Sequence, residues 1–237
     1  MSELSKGEII MQFQTIEQAV SRSGYNVMLY SESGYGKTFS ISTLPDLSKV
    51  VIIAAEKGLK TLTDNDLDID MSKLRVLTAT SYDELNAACK LIRDNLESID
   101  TVVIDSLTKV AERVLLSERE ITTNARQLYP EIEAKVLSLL TRMLDMDVNL
   151  ICLCKQGKVG IAGLEKYAAI FPGQKLSQNL PYEFDYVFAL IQKEDAGTVK
   201  RAFQTQPDGM YHAKTRGSKL AMYESPNWTN IFNKLNA

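Results

Sequence analysis

The sequence is poor in the residues that build metal clusters, disulfides and hydrolytic triads. Its 237 residues contain three cysteines and one histidine, His212. Three cysteines at positions 89, 152 and 154 do not make a disulfide framework. A lone histidine excludes a histidine-rich zinc site and weakens any Ser-His-Asp or Cys-His nucleophile scheme. Cys152 and Cys154 lie in the apolar run VNLICLC, so core packing is their expected role, with a metal pair as the alternative.

Long apolar runs and an excess of basic charge are also missing. No stretch approaches the roughly 20 apolar residues of a membrane-spanning helix. The N-terminus MSELSKGEII is too polar for a signal peptide, so we expect a cytoplasmic protein with no membrane partner. Lys and Arg total 27 against 30 Asp and Glu, which gives a net charge of −3. Nucleic-acid binding would therefore depend on a local basic patch.

Apolar runs alternate with helical patterns from residue 26 to about residue 155. The runs cover residues 26–31, 49–55, 74–79, 100–105 and 148–154. They are nearly continuous, which is typical of strands covered on both faces. Ser81 and Glu84 predict a helix capping box, and Pro130 predicts the first turn of a later helix. The rhythm predicts an α/β fold with a mostly parallel sheet flanked by helices.

The pattern changes after residue 155. Residues 155–183 are rich in glycine and proline without sustained periodicity, which predicts a long functional loop. Segments 185–193, 199–206 and 210–214 predict strands of an antiparallel C-terminal extension, and residues 227–236 predict a terminal helix. We expect one core over residues 25–237, preceded by a segment, residues 1–24, that could dock on a neighbouring subunit.

The strongest chemical signal is NVMLYSESGYGKT, residues 26–38. An apolar strand followed by a glycine turn and a helix makes a phosphate cradle of backbone N–H groups. Lys37 would reach the phosphates, and the Thr38 hydroxyl would hold Mg²⁺. The predicted nucleotide-binding residues are Ser31, Glu32, Ser33, Gly34, Tyr35, Gly36, Lys37, Thr38 and Phe39. Ser31 replaces the first glycine of GxxxxGK[ST], where a serine at positive φ would be strained, and a plain strand-to-helix turn is the alternative.

Two acidic residues follow other predicted strands. Asp105 ends the apolar run TVVID, where it would position magnesium at the carboxyl edge of a parallel sheet. The alternative is a helix cap, since a helical pattern begins at Ser106. Glu56 follows the run KVVIIAA on the same expected edge, where it would activate the attacking water; an ordinary surface glutamate is the alternative.

Lys214 and Arg216 form a basic pair near the C-terminus, in the segment AKTRG. Two cations at i and i+2 of a strand end would point to one side and meet a phosphate. Such cations stabilise a transferring phosphoryl group and can come from a neighbouring subunit. A solvated hairpin tip is the alternative.

Together these motifs resemble the RecA-core ATPases, and most closely the phage-encoded RecA-like proteins that act as single-strand annealing recombinases. The resemblance covers residues 25–236 and includes FPGQKLSQNLPYEFDYVFAL and FQTQPDGMYHAKTRGSKL besides the motifs above. It implies ATP and Mg²⁺ as ligands, Glu56 as the water-activating residue, and Lys214 with Arg216 as a finger that reaches the nucleotide of a neighbour. It also implies a polar sensor after the strand that follows Asp105, for which Gln156 is the nearest match.

The resemblance further implies partners. RecA-like proteins form rings or filaments and line a DNA channel with two mobile loops, here expected at residues 117–130 and 155–175. The expected single-stranded-DNA residues are Arg119, Arg126, Lys155, Lys158, Lys166, Tyr167, Phe171 and Lys175, cations for phosphates and aromatics for base stacking. Ordinary flexible loops are the alternative. A single-strand DNA-binding protein is a further expected partner, and a phage gene would place the protein in the host cytoplasm.

Two other functions use the same cradle. A small-molecule kinase usually has an arginine-rich lid, and residues 155–183 contain no arginine. A nucleotide-binding adaptor, such as a helicase loader or packaging accessory, would bind ATP with little turnover. The substitution at Ser31 leaves the adaptor open.

Overall fold

The computed structural model describes residues 24–63, 70–122, 124–161, 163–195 and 197–237, together with Phe13 and Thr15. The predicted docking segment, residues 1–24, therefore lies outside the described residues except for Phe13, Thr15 and Gly24. Within the described part of the chain, no helix has the length and apolar character needed to cross a bilayer.

Strands and helices alternate along the first two thirds of the chain. The strands are β1 (Asn26–Ser31), β2 (Val50–Ala54), β3 (Arg75–Thr78), β4 (Thr101–Asp105), β5 (Asn149–Ile161), β6 (Leu164–Ala169), β7 (Tyr186–Asp195), β8 (Thr198–Gln204) and β9 (Tyr223–Glu224). The α-helices are α1 (Lys37–Ser40), α2 (Tyr82–Arg93), α3 (Leu107–Ile121), α4 (Ala125–Leu144), α5 (Gln174–Asn179) and α6 (Trp228–Asn236). Short 3-10 turns cover Ile41–Thr43, Leu47–Lys49, Leu59–Leu62, Met71–Lys73, Leu96–Ser98 and Leu180–Glu183.

The strands form one sheet in the order β3-β2-β4-β5-β1-β7-β8-β9, with β6 paired to β5. The strands from β3 to β7 in this order run parallel, whereas β8 and β9 add antiparallel pairs. The predicted α/β fold, mostly parallel with an antiparallel C-terminal extension, is confirmed. The carboxyl ends of β1, β2, β4 and β5 consequently lie at one edge of the sheet.

The sheet separates two hydrophobic cores because neighbouring residues of a strand point to opposite faces. Met28 and Tyr30 of β1 face the core built with α2, α3 and α4. Val27 and Leu29 face the second core, which α6 covers. Trp228 of α6 packs at a tilt against Phe203, with ring centroids 4.9 Å apart, and its indole N–H donates to Ser40 Oγ at 3.0 Å. The terminal helix thus supports α1, the helix that follows the glycine turn.

Two sequence predictions about helix starts have different outcomes. The capping box is confirmed, because Ser81 Oγ accepts from the Glu84 N–H and Glu84 accepts from the Ser81 N–H. The prediction that Pro130 begins a helix is wrong, since α4 begins at Ala125 and Asn124 caps it. The asparagine cap sets the start, and Pro130 lies inside, where it lacks one intrahelical donor.

The predicted long loop over residues 155–183 is also wrong. β5 continues to Ile161 and turns back as β6, and α5 and a 3-10 turn follow. The glycines that suggested a loop instead allow the turn and the close packing of the hairpin. Gly163 has φ +79, and a Cβ at Gly157 would lie 2.6 Å from the Ile170 side chain. The predicted strand over residues 210–214 is reduced to isolated bridges from Tyr211 and Lys214.

Candidate nucleotide site

A cavity of about 730 Å³ opens at the carboxyl edge of the sheet, beside the ends of β1 and β4. Ligands of open parallel sheets bind at this edge. The cavity is lined by Ser31, Glu32, Ser33, Gly34, Gly36, Lys37, Thr38, Phe39, Glu56, Gly58, Thr61, Asp105, Ser106, Cys154, Lys155, Gln156 and Ile170. Residues from five separate parts of the sequence therefore meet at one opening.

The glycine turn after β1 has the geometry of a phosphate cradle. Gly34 and Gly36 have φ of 81° and 102°, values that favour glycine, and α1 begins at Lys37. Ser31, in contrast, is the last residue of β1 and pairs with Lys155 of β5. The extended backbone of Ser31 accommodates a side chain, so the strain expected for a serine at this position does not arise.

Lys37 is bound by its own turn. Its Nζ donates to the Ser31 carbonyl, the Ser31 hydroxyl and the Glu32 carbonyl, each at 2.9 Å. Burial lowers the pKa of Lys37, while Cys154, Asp105 and Glu56 oppose that shift. The ammonium group therefore lies in the cavity wall with hydrogen bonds that an incoming phosphate would replace.

Thr38 and Asp105 meet at the base of the cavity. Thr38 Oγ1 donates to Asp105 Oδ2 at 2.8 Å. Burial raises the pKa of Asp105, and the hydrogen bond from Thr38 opposes that shift. A hydroxyl and a carboxylate are hard oxygen ligands, which Mg²⁺ combines with phosphate oxygens and water. These two residues fit such an ion, and the described residues contain no cluster of three or more His, Cys, Asp or Glu that would bind a metal by itself.

Glu56 lies just beyond β2, beside Asp105. The Ser106 hydroxyl donates to Glu56 Oε1 at 3.2 Å, and the same hydroxyl accepts from the Lys109 N–H as the cap of α3. The residue that caps α3 is thus Ser106, and the helix-cap alternative does not apply to Asp105 itself. The Asp105–Ser106 peptide bond is cis.

Gln156 lines the opposite wall, where β5 leaves the main sheet. Its Nε2 donates to Glu32 Oε1 at 3.4 Å, so it joins β5 to the glycine turn. Its Oε1 is buried and has no hydrogen-bond partner among the described residues. An unpaired buried acceptor facing a polar cavity is suited to a water or a ligand group.

Three predicted site residues lie outside the cavity. Tyr35 packs against the second core. Lys214 donates from Nζ to the carbonyls of Tyr182 and Phe184, and Arg216 forms an ion pair with Asp185 at 3.1 Å. The Asp185 N–H donates to the carbonyl of Asn26, at the amino end of β1, so this pair lies at the edge opposite the cradle.

The predicted DNA residues lie on ordered elements. Three lysines form ion pairs: Lys155 with Glu112, Lys158 with Glu165, and Lys175 with Glu133. Lys166 donates to the Asp208 carbonyl, and Tyr167 packs 5.4 Å from Tyr211, measured between ring centroids. Arg119 and Arg126 are exposed on α3 and α4.

Phe171 differs from the other predicted DNA residues because it is 8% exposed and packs in the first core. Its backbone N–H donates to Ser177 Oγ, which fixes it against α5. The structure therefore gives Phe171 a packing role, and its ring is not presented to a base.

Sequence reasoning missed several wall residues, namely Gly58, Thr61, Ser106, Cys154 and Ile170. Ser106 had a usable signal, because it follows Asp105 directly and caps the next helix. Cys154 ends the main-sheet part of β5 and was interpreted as core alone; it is fully buried, and burial raises the pKa of its thiol. Ile170 had no local signal, since β6 brings it to the cavity.

Comparisons with known proteins agree with this fold. The model of an AAA domain family, AAA_24, matches residues 23–217. Among solved structures, the KaiC-like protein PH0186 from the hyperthermophilic archaeon Pyrococcus horikoshii OT3 is similar, with a TM-score of 0.54 and 18% sequence identity. The match covers 84% of this chain and 83% of that chain, and at this identity it shows the fold alone. The search of curated proteins found no match. The chain belongs to the AAA domain family and has the fold of a RecA-like P-loop ATPase.

Proposed function

We propose that this chain binds ATP with Mg²⁺ and hydrolyses it in the 730 Å³ cavity. The observation that carries the proposal is the hydrogen bond of 2.8 Å between Thr38 and Asp105, with Lys37 and Glu56 lining the same cavity. Phosphoryl transfer needs little covalent chemistry from the protein and depends on positioning and charge stabilisation. These four side chains supply both.

Each residue has a separate task. Lys37 leaves its carbonyl partners and binds the β- and γ-phosphates, while the N–H groups of residues 33–38 surround the same oxygens. Thr38 and Asp105 would hold Mg²⁺, which would neutralise charge on the phosphates. Glu56 orients the attacking water and accepts its proton, and the Ser106 hydroxyl fixes the Glu56 carboxylate. Gln156 contacts the γ-phosphate side of the cavity from β5.

Self-assembly into a ring or filament is part of the proposal. Lys214 and Arg216 lie too far from the cradle of their own chain, so their role in hydrolysis requires a neighbour. A finger supplied by another subunit stabilises charge in the transition state and couples turnover to assembly.

We further propose that the assembly acts on single-stranded DNA, in phage recombination, annealing or replication. Support comes from the β5–β6 hairpin, which carries Lys158, Lys166 and Tyr167 and is continuous with the cavity wall at Gln156. Cations follow phosphates and an aromatic face stacks on bases. The ion pair between Lys158 and Glu165 is exposed, so a phosphate can replace the carboxylate at small cost.

The test is an ATPase assay with and without single-stranded DNA, run alongside sizing in ATP. We expect Mg²⁺-dependent turnover that DNA stimulates. Glu56→Gln should keep ATP affinity and lower turnover by about 100-fold or more, because the water loses its base. Glu97→Gln, an exposed glutamate on a 3-10 turn, is the control. Unchanged hydrolysis in Glu56→Gln contradicts the proposal.

One observation favours a second candidate, the nucleotide-binding adaptor. Lys37 has three partners within its own turn, which favours the nucleotide-free conformation. An adaptor would bind ATP in the same assay and show no turnover with or without DNA.

A further inference from the structure

A second cavity, of about 450 Å³, lies next to the nucleotide cavity on the side of β2 and β3. Glu56 lines both cavities, so its side chain forms part of the wall between them. The second cavity is otherwise built from residues that the proposed hydrolysis does not use. Its volume is in the range of small-molecule sites.

The walls of the second cavity combine apolar and polar side chains. The apolar part comes from Ala54, Ala55, Leu59 and Val76, and the polar part comes from Glu56, Lys57, Thr78, Thr80 and Arg113. Pockets of this composition bind a small ligand by its apolar portion and orient it through a few polar contacts. The charged residues are two cations and one carboxylate, so the lining carries a net positive charge.

Arg113 of α3 is the unexplained member. Its Nε is buried and has no hydrogen-bond partner among the described residues. Burying a guanidinium donor without an acceptor is unfavourable, and folded proteins normally pair such groups. The Arg113 Nε–H group therefore lacks a hydrogen-bond acceptor at this cavity.

The carboxylate next to Arg113 in the sequence and two carboxylates at or beside the cavity are engaged elsewhere. Glu112 binds Lys109 and Lys155 at 2.9 and 2.6 Å. Glu84 accepts from the N–H groups of Thr80 and Ser81 in the capping box of α2. Glu56 accepts from Ser106 in the nucleotide cavity. In the described part of the chain, no ion pair satisfies Arg113.

We propose that the second cavity is a binding site for a small oxyanion, a phosphate or carboxylate group carried on a short apolar body. The Arg113 guanidinium donates to the oxyanion from α3, and Lys57 adds a second cation from the loop after β2. Arginine forms paired hydrogen bonds with both kinds of oxyanion, which is the chemistry they share. Because Glu56 separates the two cavities, the ligand lies beside the residue that faces the nucleotide.

The test is calorimetric titration of the full chain with inorganic phosphate in one arm and with succinate in the other. Both titrations are done with the nucleotide cavity filled by Mg²⁺ and a non-hydrolysable ATP analogue, and again without the analogue. We expect one oxyanion site that remains when the analogue is present. The tighter arm identifies which oxyanion the cavity prefers.

Two variants locate the site. Arg113→Gln should weaken binding by about tenfold or more, as expected for losing a charge-assisted hydrogen bond. Lys57→Gln, on an exposed loop where folding is unaffected, should weaken it several-fold. The matched controls are Arg93→Gln at the exposed end of α2 and Lys60→Gln, neither of which lines the cavity. The proposal is overturned if no oxyanion binds beside the bound analogue. It is also overturned if Lys57→Gln and Arg113→Gln both bind the oxyanion as tightly as the wild-type protein does.

Discussion

At the scale of single residues, Ser31 alters the hydrogen bonding of Lys37 in the phosphate cradle. Its backbone is that of a strand, so the substitution of glycine by serine leaves the turn intact. Its hydroxyl instead accepts from Lys37 Nζ at 2.9 Å. The effect of the serine is thus on the lysine, whose ammonium group it helps to hold before the nucleotide arrives.

Removing the Ser31 hydroxyl should strengthen nucleotide binding. In Ser31→Gly, Lys37 has one partner fewer to leave, and we expect the dissociation constant for ATP to fall by up to about tenfold. The glycine should lower stability by about 1 kcal/mol, because it adds backbone freedom in a strand. Fluorescence titration with a labelled ATP analogue measures the affinity. Ser218→Gly, at an exposed serine that does not line the cavity, is the control, and an unchanged affinity in Ser31→Gly contradicts the interpretation.

Asp105 should show a trade-off between stability and activity. Asp105→Asn keeps an acceptor for Thr38 and removes a buried charge, so the nucleotide-free protein should gain about 1 kcal/mol, or a few degrees in Tm. Turnover should fall by about 100-fold, since Mg²⁺ loses a charged ligand. Asp100→Asn, an exposed aspartate before β4, is the control for both measurements.

The stability gain from Asp105→Asn should depend on pH. Burial raises the pKa of Asp105, so the penalty of the charged form is complete above the folded-state pKa. The penalty disappears below the unfolded value of about 4, where the carboxyl group is neutral in both states. Thermal unfolding of both proteins should therefore show the difference narrowing as the pH falls. A difference that widens would contradict the burial argument.

At the scale of elements, the β5–β6 hairpin connects the cavity to a surface. β5 pairs with β1 and β4 inside the sheet and with β6 beyond it, so one strand contributes both Gln156 and Lys158. The chain then passes Gly173 and begins α5, where the Tyr129 ring of α4 lies against the turn. The hairpin is held at its base by α3 and α5, and α4 packs on the turn that follows it.

This packing predicts a coupling between Gly173 and Tyr129. Gly173 has φ +88, and an added Cβ would lie 3.1 Å from the Tyr129 ring. We expect Gly173→Ala to destabilise the protein by about 2 kcal/mol, part from the backbone and part from the ring. The loss should be smaller in a Tyr129→Ala background, as a double-mutant cycle by urea unfolding measures.

The control for this cycle is Gly163→Ala. Gly163 has φ +79 with nothing within 4 Å of an added Cβ, so its loss should be independent of Tyr129. If Gly173→Ala lowers the free energy of unfolding equally with Tyr129 and with Ala at position 129, the contact with the ring carries no strain.

At the scale of the whole molecule, the basic pair and the cradle occupy opposite edges of the sheet. Lys214 lies beside Val187 near the start of β7, and Arg216 binds Asp185 next to the first residue of β1. A strand of six residues spans roughly 17 Å. A shared site therefore needs two copies of the chain in head-to-tail contact, which generates a ring or a filament.

A mixing experiment tests the shared site. Glu56→Gln and Arg216→Ala should each be inactive alone, because one lacks the base and the other lacks the finger. If they are mixed before assembly in equal amounts, random neighbours should restore roughly a quarter of wild-type turnover. Arg216→Ala breaks one ion pair, in which the Arg216 side chain is 64% exposed and the Asp185 side chain 24%, so the fold should be retained. Activity of Arg216→Ala alone, or no rescue on mixing, contradicts a site shared between subunits.

Local sequence determined the parts of this protein that depend on short-range rules. The apolar runs predicted β1 to β4 within a residue or two, because buried parallel strands need continuous apolar residues. The glycine turn, Asp105 and Glu56 follow such runs directly, and parallel strands bring their carboxyl ends together. The sheet edge and its cavity residues could therefore be predicted without coordinates.

Tertiary structure decided the features that depend on contacts between segments far apart in the sequence. The glycines of residues 155–173 favour a loop locally, but pairing between β5 and β6 made them a hairpin and placed Phe171 in the core. The Arg113 Nε is buried without a partner where α3 meets residues of β2 and β3 at the second cavity, which no local pattern encodes. Strand neighbours and buried charges are set by long-range packing, whereas turns and apolar periods are set by the chain itself.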